Sequence, residues 1–218
     1  MKKSNLSDKH LLKQLFSKQC TPIVQRVLDD MRINKIFSVK EIQNGAKIPV
    51  SEEAVLYRWW FPEDSAVWIK LVESSHEDDA LKNLLEEVER RTDIEDGQPY
   101  RALYFGKSSN GYHRFYQHIK GTVRVSTVRH TVYGLCIPDK YNADNEPKIN
   151  DILSRCYCEW TDLGDDSNLV GCFEEICIAL GKYPLNVDGN PAISEKWRNK
   201  LLEGRKTSKK KKVVRQTE

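Results

Sequence analysis

Several absences narrow the field before any motif is considered. No apolar run in the 218 residues approaches the roughly 18 to 20 that a membrane span needs. Met1-Lys2-Lys3-Ser4 passes straight into polar residues, so no secretory leader is expected. There is no P-loop, dinucleotide fingerprint, Ser-His-Asp order or internal repeat. Six cysteines in a chain of this length, with no leader, imply reduced thiols and a cytoplasmic protein rather than a disulfide scaffold. Cys156-x-Cys158, with Cys172 and Cys177, lacks the knuckle spacing of structural zinc, so buried free thiols are expected.

A further absence is local. Gly97 to Leu135 holds Arg101, Lys107, Arg114, Lys120, Arg124 and Arg129, and no Asp or Glu. Cations without carboxylates over such a length suit a polyanion-binding surface, and equally a set of solvated helix faces. The net charge is only +3 because other segments compensate. Glu73 to Asp96 carries ten acids against three cations, and Lys196 to Glu218 carries ten Lys/Arg against two acids. The run Lys209 to Lys212 fits non-specific DNA attraction, a nuclear localisation signal in a nucleated cell, or a solubilising end.

Periodicity divides the chain into three parts. Residues 1–52 read as a helical extension, with Leu11, Leu12, Leu15 and Phe16 on one face and Ile23, Val24, Val27, Leu28 and Met31 repeating the pattern. Residues 53–192 read as the main domain. Within it Val55 to Phe61 is a strand rich in β-formers, Ser65 to Val72 a second strand, and Tyr100 to Phe105 another. A helical insertion at about 73–96 begins at Asp78, and helices follow over Tyr112–Ile119, after Ser126, and over Asn168–Leu180. Pro138 to Asn150 reads as a polar loop and Arg155 to Thr161 as a strand. Residues 193–218 read as a basic, disordered tail. The fold class is α+β, a small mixed sheet flanked by helices.

Cutting a phosphodiester needs a carboxylate for a metal, a cation for the phosphate oxygens and a base for water. Arg114 and His118 stand four residues apart on a predicted helix and so share a face. Tyr104 closes the strand before that helix, and Lys107 lies in the turn between them. Val55-Leu56-Tyr57, then Tyr104-Phe105-Gly106-Lys107-Ser108, then Arg114 and His118, then Glu174 on a late helix and Pro184-Leu185-Asn186, form an ordered series. In that order it resembles the GIY-YIG nuclease superfamily. The two tyrosines are 47 positions apart, which the helical insertion accounts for.

The resemblance implies roles residue by residue. Tyr57 and Tyr104 match the motif tyrosines that position or deprotonate water. Arg114 matches the arginine that stabilises the phosphorane, and His118 the histidine near the nucleophile or leaving group. Lys107 matches an electrostatic helper, Glu174 the metal-binding carboxylate, with Glu175 the alternative, and Asn186 a hydrogen-bonding buttress. Arg101, Lys120, Arg124 and Arg129 are the further DNA-contacting candidates. The implied activity is a DNA endonuclease using one Mg2+ or Mn2+ ion, with branched and single-stranded DNA among its candidate substrates and no membrane partner. A non-catalytic nucleic-acid binder on the same scaffold, or an interaction module using the acidic helix, are the alternatives. The same tyrosines also suit half-buried strand positions, Glu174 a surface helix position and Trp59-Trp60 a core.

Overall fold

The computed structural model describes residues 36–95, 97–163 and 170–207, together with 22, 25, 27–29 and 31. The N-terminal pattern through Leu11 and Phe16 lies outside the described residues, as do Ile23, Val24 and the lysine run at 209–212. Five strands, β1 (Ile36–Ser38), β2 (Val55–Pro62), β3 (Arg90–Arg91), β4 (Tyr100–Ser108) and β5 (Tyr157–Asp162), form one sheet in the order β1-β5-β2-β4-β3. The helices are α1 (Val39–Gln43), α2 (Ala66–Ser75), α3 (Asp79–Glu87), α4 (Gly111–Ile119), α5 (Thr127–Cys136), α6 (Glu146–Ser154), α7 (Val170–Gly181) and α8 (Glu195–Thr207). The class is α+β. Every strand pairing among the described residues is antiparallel, so the expected mixed sheet is an antiparallel one. The reason lies in the insertion. β2 ends at Pro62, and α2, α3 and β3 return the chain to the same end, where Pro62 pairs with Tyr100.

All eight residues of β2 are buried, because the sheet is covered on both faces. Val55, Tyr57, Trp59 and Phe61 enter the larger core with Phe115, Val128, Val132 and Trp160. Leu56 and Trp60 enter a second core with Leu28, Met31, Cys177, Ile178 and Tyr183. Trp59 and Trp60 are therefore core residues. Cys156 and Cys158 are buried free thiols. Arg58 keeps its charge among apolar neighbours because Glu159 and Glu89 pair with it, and Arg91 pairs with Glu159 in turn.

Four sequence expectations change. Ser65–Val72 is not a strand but the start of α2. Ser65 caps it by accepting the Trp68 N–H, and Val67 and Leu71 bury one helical face. The polar loop ends early, since α6 starts at Glu146 with Pro147 in its first turn, where no amide donor is required. The N-terminal extension contributes a sheet edge, as β1 pairs with β5. Residues 195–207 are no tail. They form α8, which buries Trp197 and Leu201 against the main core.

Candidate active site

The first tyrosine needs a glycine opposite it. Tyr57 pairs across the sheet with Gly106, and its ring lies where a side chain would stand. A Cβ on Gly106 would sit 2.6 Å from Tyr57 Cζ and Oη. The second tyrosine needs an irregularity. Trp59 pairs with Tyr104 but Trp60 with Ala102, so Leu103 is an extra residue in β4. Strict alternation would put Tyr104 on the face of Tyr100 and Ala102. The bulge moves it to the face of Tyr57, with ring centroids 6.5 Å apart.

Behind Tyr57 runs a buried hydrogen-bonded chain. His118 Nε2 lies 2.9 Å from the Tyr57 hydroxyl and His118 Nδ1 2.6 Å from Ser126 Oγ. Ser126 Oγ also accepts the Arg129 N–H as the cap of α5. A hydroxyl can donate once and accept twice, so Ser126 either donates to His118 Nδ1, with Nε2–H donating to Tyr57, or accepts from Nδ1–H, with Tyr57 donating to Nε2. Burial, reinforced by Arg114 and Arg129, lowers His118 to about 3, so it is neutral in ordinary buffers. His118 is buried, and its Nε2 touches the Tyr57 hydroxyl.

The two phenols share an electrostatic environment. Burial raises Tyr57 far above the usual phenol range. Tyr104 and Glu174 add to that rise, and Arg114 opposes it. Burial raises Tyr104 to about 12. Arg205 and Arg114 pull it down and Glu174 pushes it up. Both arginines thus favour the phenolate, and the Glu174 charge disfavours it.

Tyr104, Glu174, Glu175, Asn186, Asp188 and Arg205 line one open cleft of about 290 Å3 beside β4. Glu174, on α7, pairs with Lys107 at 3.1 Å. Asn186 holds the cleft wall. Its Oδ1 accepts the Phe105 N–H and its Nδ2 donates to the Phe105 carbonyl, both at 2.8 Å, one residue after Tyr104. Arg114 is half-buried on α4 and bonds Gln117 at 3.2 Å.

The four outlying cations fare differently. Arg129 is fully buried, paired with Glu146 at 2.8 Å and bonded to Asn150 and the His118 carbonyl. Its charge is spent inside the fold, which removes it from the DNA-contacting set. Arg101 pairs with Glu63 at 2.7 Å and stacks on Trp68, at the β3 end of β4. Lys120 and Arg124 are exposed, with Lys120 donating to the Gln43 carbonyl and Arg124 lying over Tyr141. Sequence reading missed two members, Arg205 and Ser126. The first belonged to an expected tail and the second was read only as a helix cap.

A family model described as the GIY-YIG catalytic domain matches residues 55–211, well over half of the chain. The chain belongs to the GIY-YIG family. No curated protein and no solved structure matches it. A GIY-YIG catalytic domain is a nuclease-type domain, which implies a nucleic-acid substrate and a divalent metal. The GIY-YIG match spans the helical insertion and continues through α8. No group of three or more His, Cys, Asp or Glu suited to a metal occurs among the described residues. The donors at the cleft are oxygens, with Glu174 half-buried and Glu175 and Asp188 exposed. Hard oxygen donors in small number, open to water and phosphate, suit a hard divalent cation.

Proposed function

We propose that this protein is a DNA endonuclease that hydrolyses phosphodiester bonds with a single divalent metal, Mg2+ or Mn2+. The observation that carries the reading is the convergence of Tyr104, Glu174 and Asn186 on one cleft, with Arg114 acting on both phenols.

Glu174 is the residue that would hold the ion, with Glu175 beside it. When bound, a divalent ion supplies positive charge beside the scissile phosphate and cancels the Glu174 charge that opposes phenol ionisation. Tyr104, facing the cleft, acts as the phenolate, its own proton having gone to solvent, and takes the proton of the attacking water as the phosphorus–oxygen bond to the leaving group breaks. Tyr57, hydrogen-bonded to His118, stands beside Tyr104 on the same face of the sheet. Ser126 holds that imidazole in place through Nδ1. Arg114 meets the phosphate oxygens as negative charge develops, and Asn186 keeps β4 and Tyr104 in place. Lys107, released from Glu174, joins the phosphate contacts.

The test is cleavage of plasmid, branched and single-stranded DNA with magnesium or manganese. Wild type should cut at least one of these, and Glu174→Gln should abolish cutting with an unchanged melting curve. Salt-sensitive binding without turnover, indifferent to Glu174→Gln, would refute the nuclease and leave a DNA-binding protein.

A further inference from the structure

We propose that Arg205, on the C-terminal helix, is a second phosphate-contacting cation of the cleft and acts alongside Arg114. The inference rests on the nuclease reading for its catalytic consequence, but its contact with phosphate is separately measurable.

Placement is the first argument. Arg205 lines the same cleft as Tyr104 and Glu174, although 31 positions separate it from Glu174. Its backbone is held by an unusually close helix crossing. A Cβ on Gly134 of α5 would lie 2.4 Å from the Gly204 carbonyl carbon of α8. The lack of a side chain at Gly134 permits that approach, a Cβ on Gly204 would itself be tight at 3.0 Å from the Gly134 carbonyl oxygen, and Arg205 is the next residue. Its side chain is held as well, by Nε donating to Thr131 Oγ1 at 2.9 Å and Nη2 to the Leu185 carbonyl at 3.2 Å. Trp197, two turns earlier, donates to the Pro184 carbonyl at 2.8 Å. α8 therefore straps down the segment that carries Asn186 and delivers a guanidinium beside it.

Electrostatics is the second argument. Burial lowers the Arg205 pKa, while Tyr104 and Asp188 raise it. A guanidinium stripped of part of its hydration, with anionic or ionisable oxygens on its cleft side, gains when a phosphate arrives. Among the charges acting on Tyr104, Arg205 is the largest influence favouring the phenolate. One cation thus meets both the phosphate and the oxygen that takes the water proton. A guanidinium also suits two phosphate oxygens at once, as an ammonium does not.

The full chain and its Arg205→Gln and Arg205→Lys variants are compared in two assays. In metal-free buffer, the slope of log affinity against log salt for a labelled duplex should fall by about 0.9 in Arg205→Gln and be restored in Arg205→Lys. With magnesium, cleavage by Arg205→Gln should drop on the order of 10²-fold, and Arg205→Lys should recover part of it. An unchanged salt slope in Arg205→Gln overturns the proposal, as does a rate loss that Arg205→Lys fails to relieve while its melting temperature stays at the wild-type value. If wild type itself does not cut, the nuclease reading fails alone, and the salt slope still decides whether Arg205 meets phosphate.

Discussion

His118 gives the most quantitative prediction, because it is a buried base whose protonation the fold opposes. Unfolded, it titrates near the ordinary histidine value of 6.5, and folded at about 3. The sign follows directly. Below pH 6.5 the unfolded chain takes up a proton that the native chain refuses, so stability is full above 6.5 and is lost as pH falls toward 3. From 6.5 down to pH 5 is 1.5 pH units, and at 1.36 kcal/mol per unit the loss is about 2 kcal/mol. The figure does not depend on the folded value so long as that value lies below 5. The perturbation is His118→Gln, whose amide can still bridge Tyr57 and Ser126 but does not titrate. The assay is urea unfolding at pH 8 and pH 5 for both proteins. Wild type should lose about 2 kcal/mol more than the variant between the two pH values, because other titrating groups cancel in the comparison. Equal losses, within about 0.5 kcal/mol, would refute a buried neutral imidazole and with it the hydrogen-bonded chain behind Tyr57.

Two further substitutions probe the frame of the site. Gly106→Ala places a methyl 2.6 Å from the Tyr57 ring, which must swing away from His118. The expected cost is about 1 to 3 kcal/mol in a denaturant melt with a larger proportional fall in cleavage, and wild-type behaviour in both would contradict the register. Asn186→Asp keeps the shape but turns the donor facing the Phe105 carbonyl into a carboxylate oxygen. It should destabilise by about 3 kcal/mol at neutral pH and by less at pH 4, where a protonated acid can donate again. Identical costs at both pH values, each relative to wild type, would count against the paired hydrogen bonds.

Much of this was legible in the residues. α4 announced itself through Asn110-Gly111, Phe115 and Ile119, and α5 through the Ser126 cap. β2 and β4 stood out by their β-branched and aromatic content. The failures share a cause: local chemistry outweighed periodicity. In α2 the run Val67-Trp68-Ile69 has strand propensity, yet Val67 and Leu71 sit four apart and Ser65 supplies a cap, so packing decides for helix. In α8 the density of lysine and arginine masked the stripe Trp197, Leu201, Arg205, each four residues on from the last. That stripe was the available signal for Arg205. An apolar face at helical spacing argues for docking however charged the remaining faces are.

The second tyrosine shows a limit of a different kind. A strand's side chains alternate, so a sequence fixes which residues share a face only if the strand is unbroken. With Tyr100, Ala102 and Tyr104 at even spacing, alternation assigns all three to one side. Tyr100 and Ala102 do lie in the second core, but Tyr104 lies in the first, with Tyr57. The extra residue at Leu103 reverses the parity, and Leu103 itself is buried in the same first core. Nothing in the local composition marks the bulge, because Leu103 is an ordinary strand residue. The fold makes room for it because β2 places Trp59 opposite Tyr104 and β4 itself places Gly106 opposite Tyr57, so both aromatic rings fit on one face. The pairing of the two tyrosines therefore comes from the register between β2 and β4 and from the glycine of β4. Neither motif specifies it alone, which is why an ordered series of motifs identifies the site while leaving its geometry to the sheet.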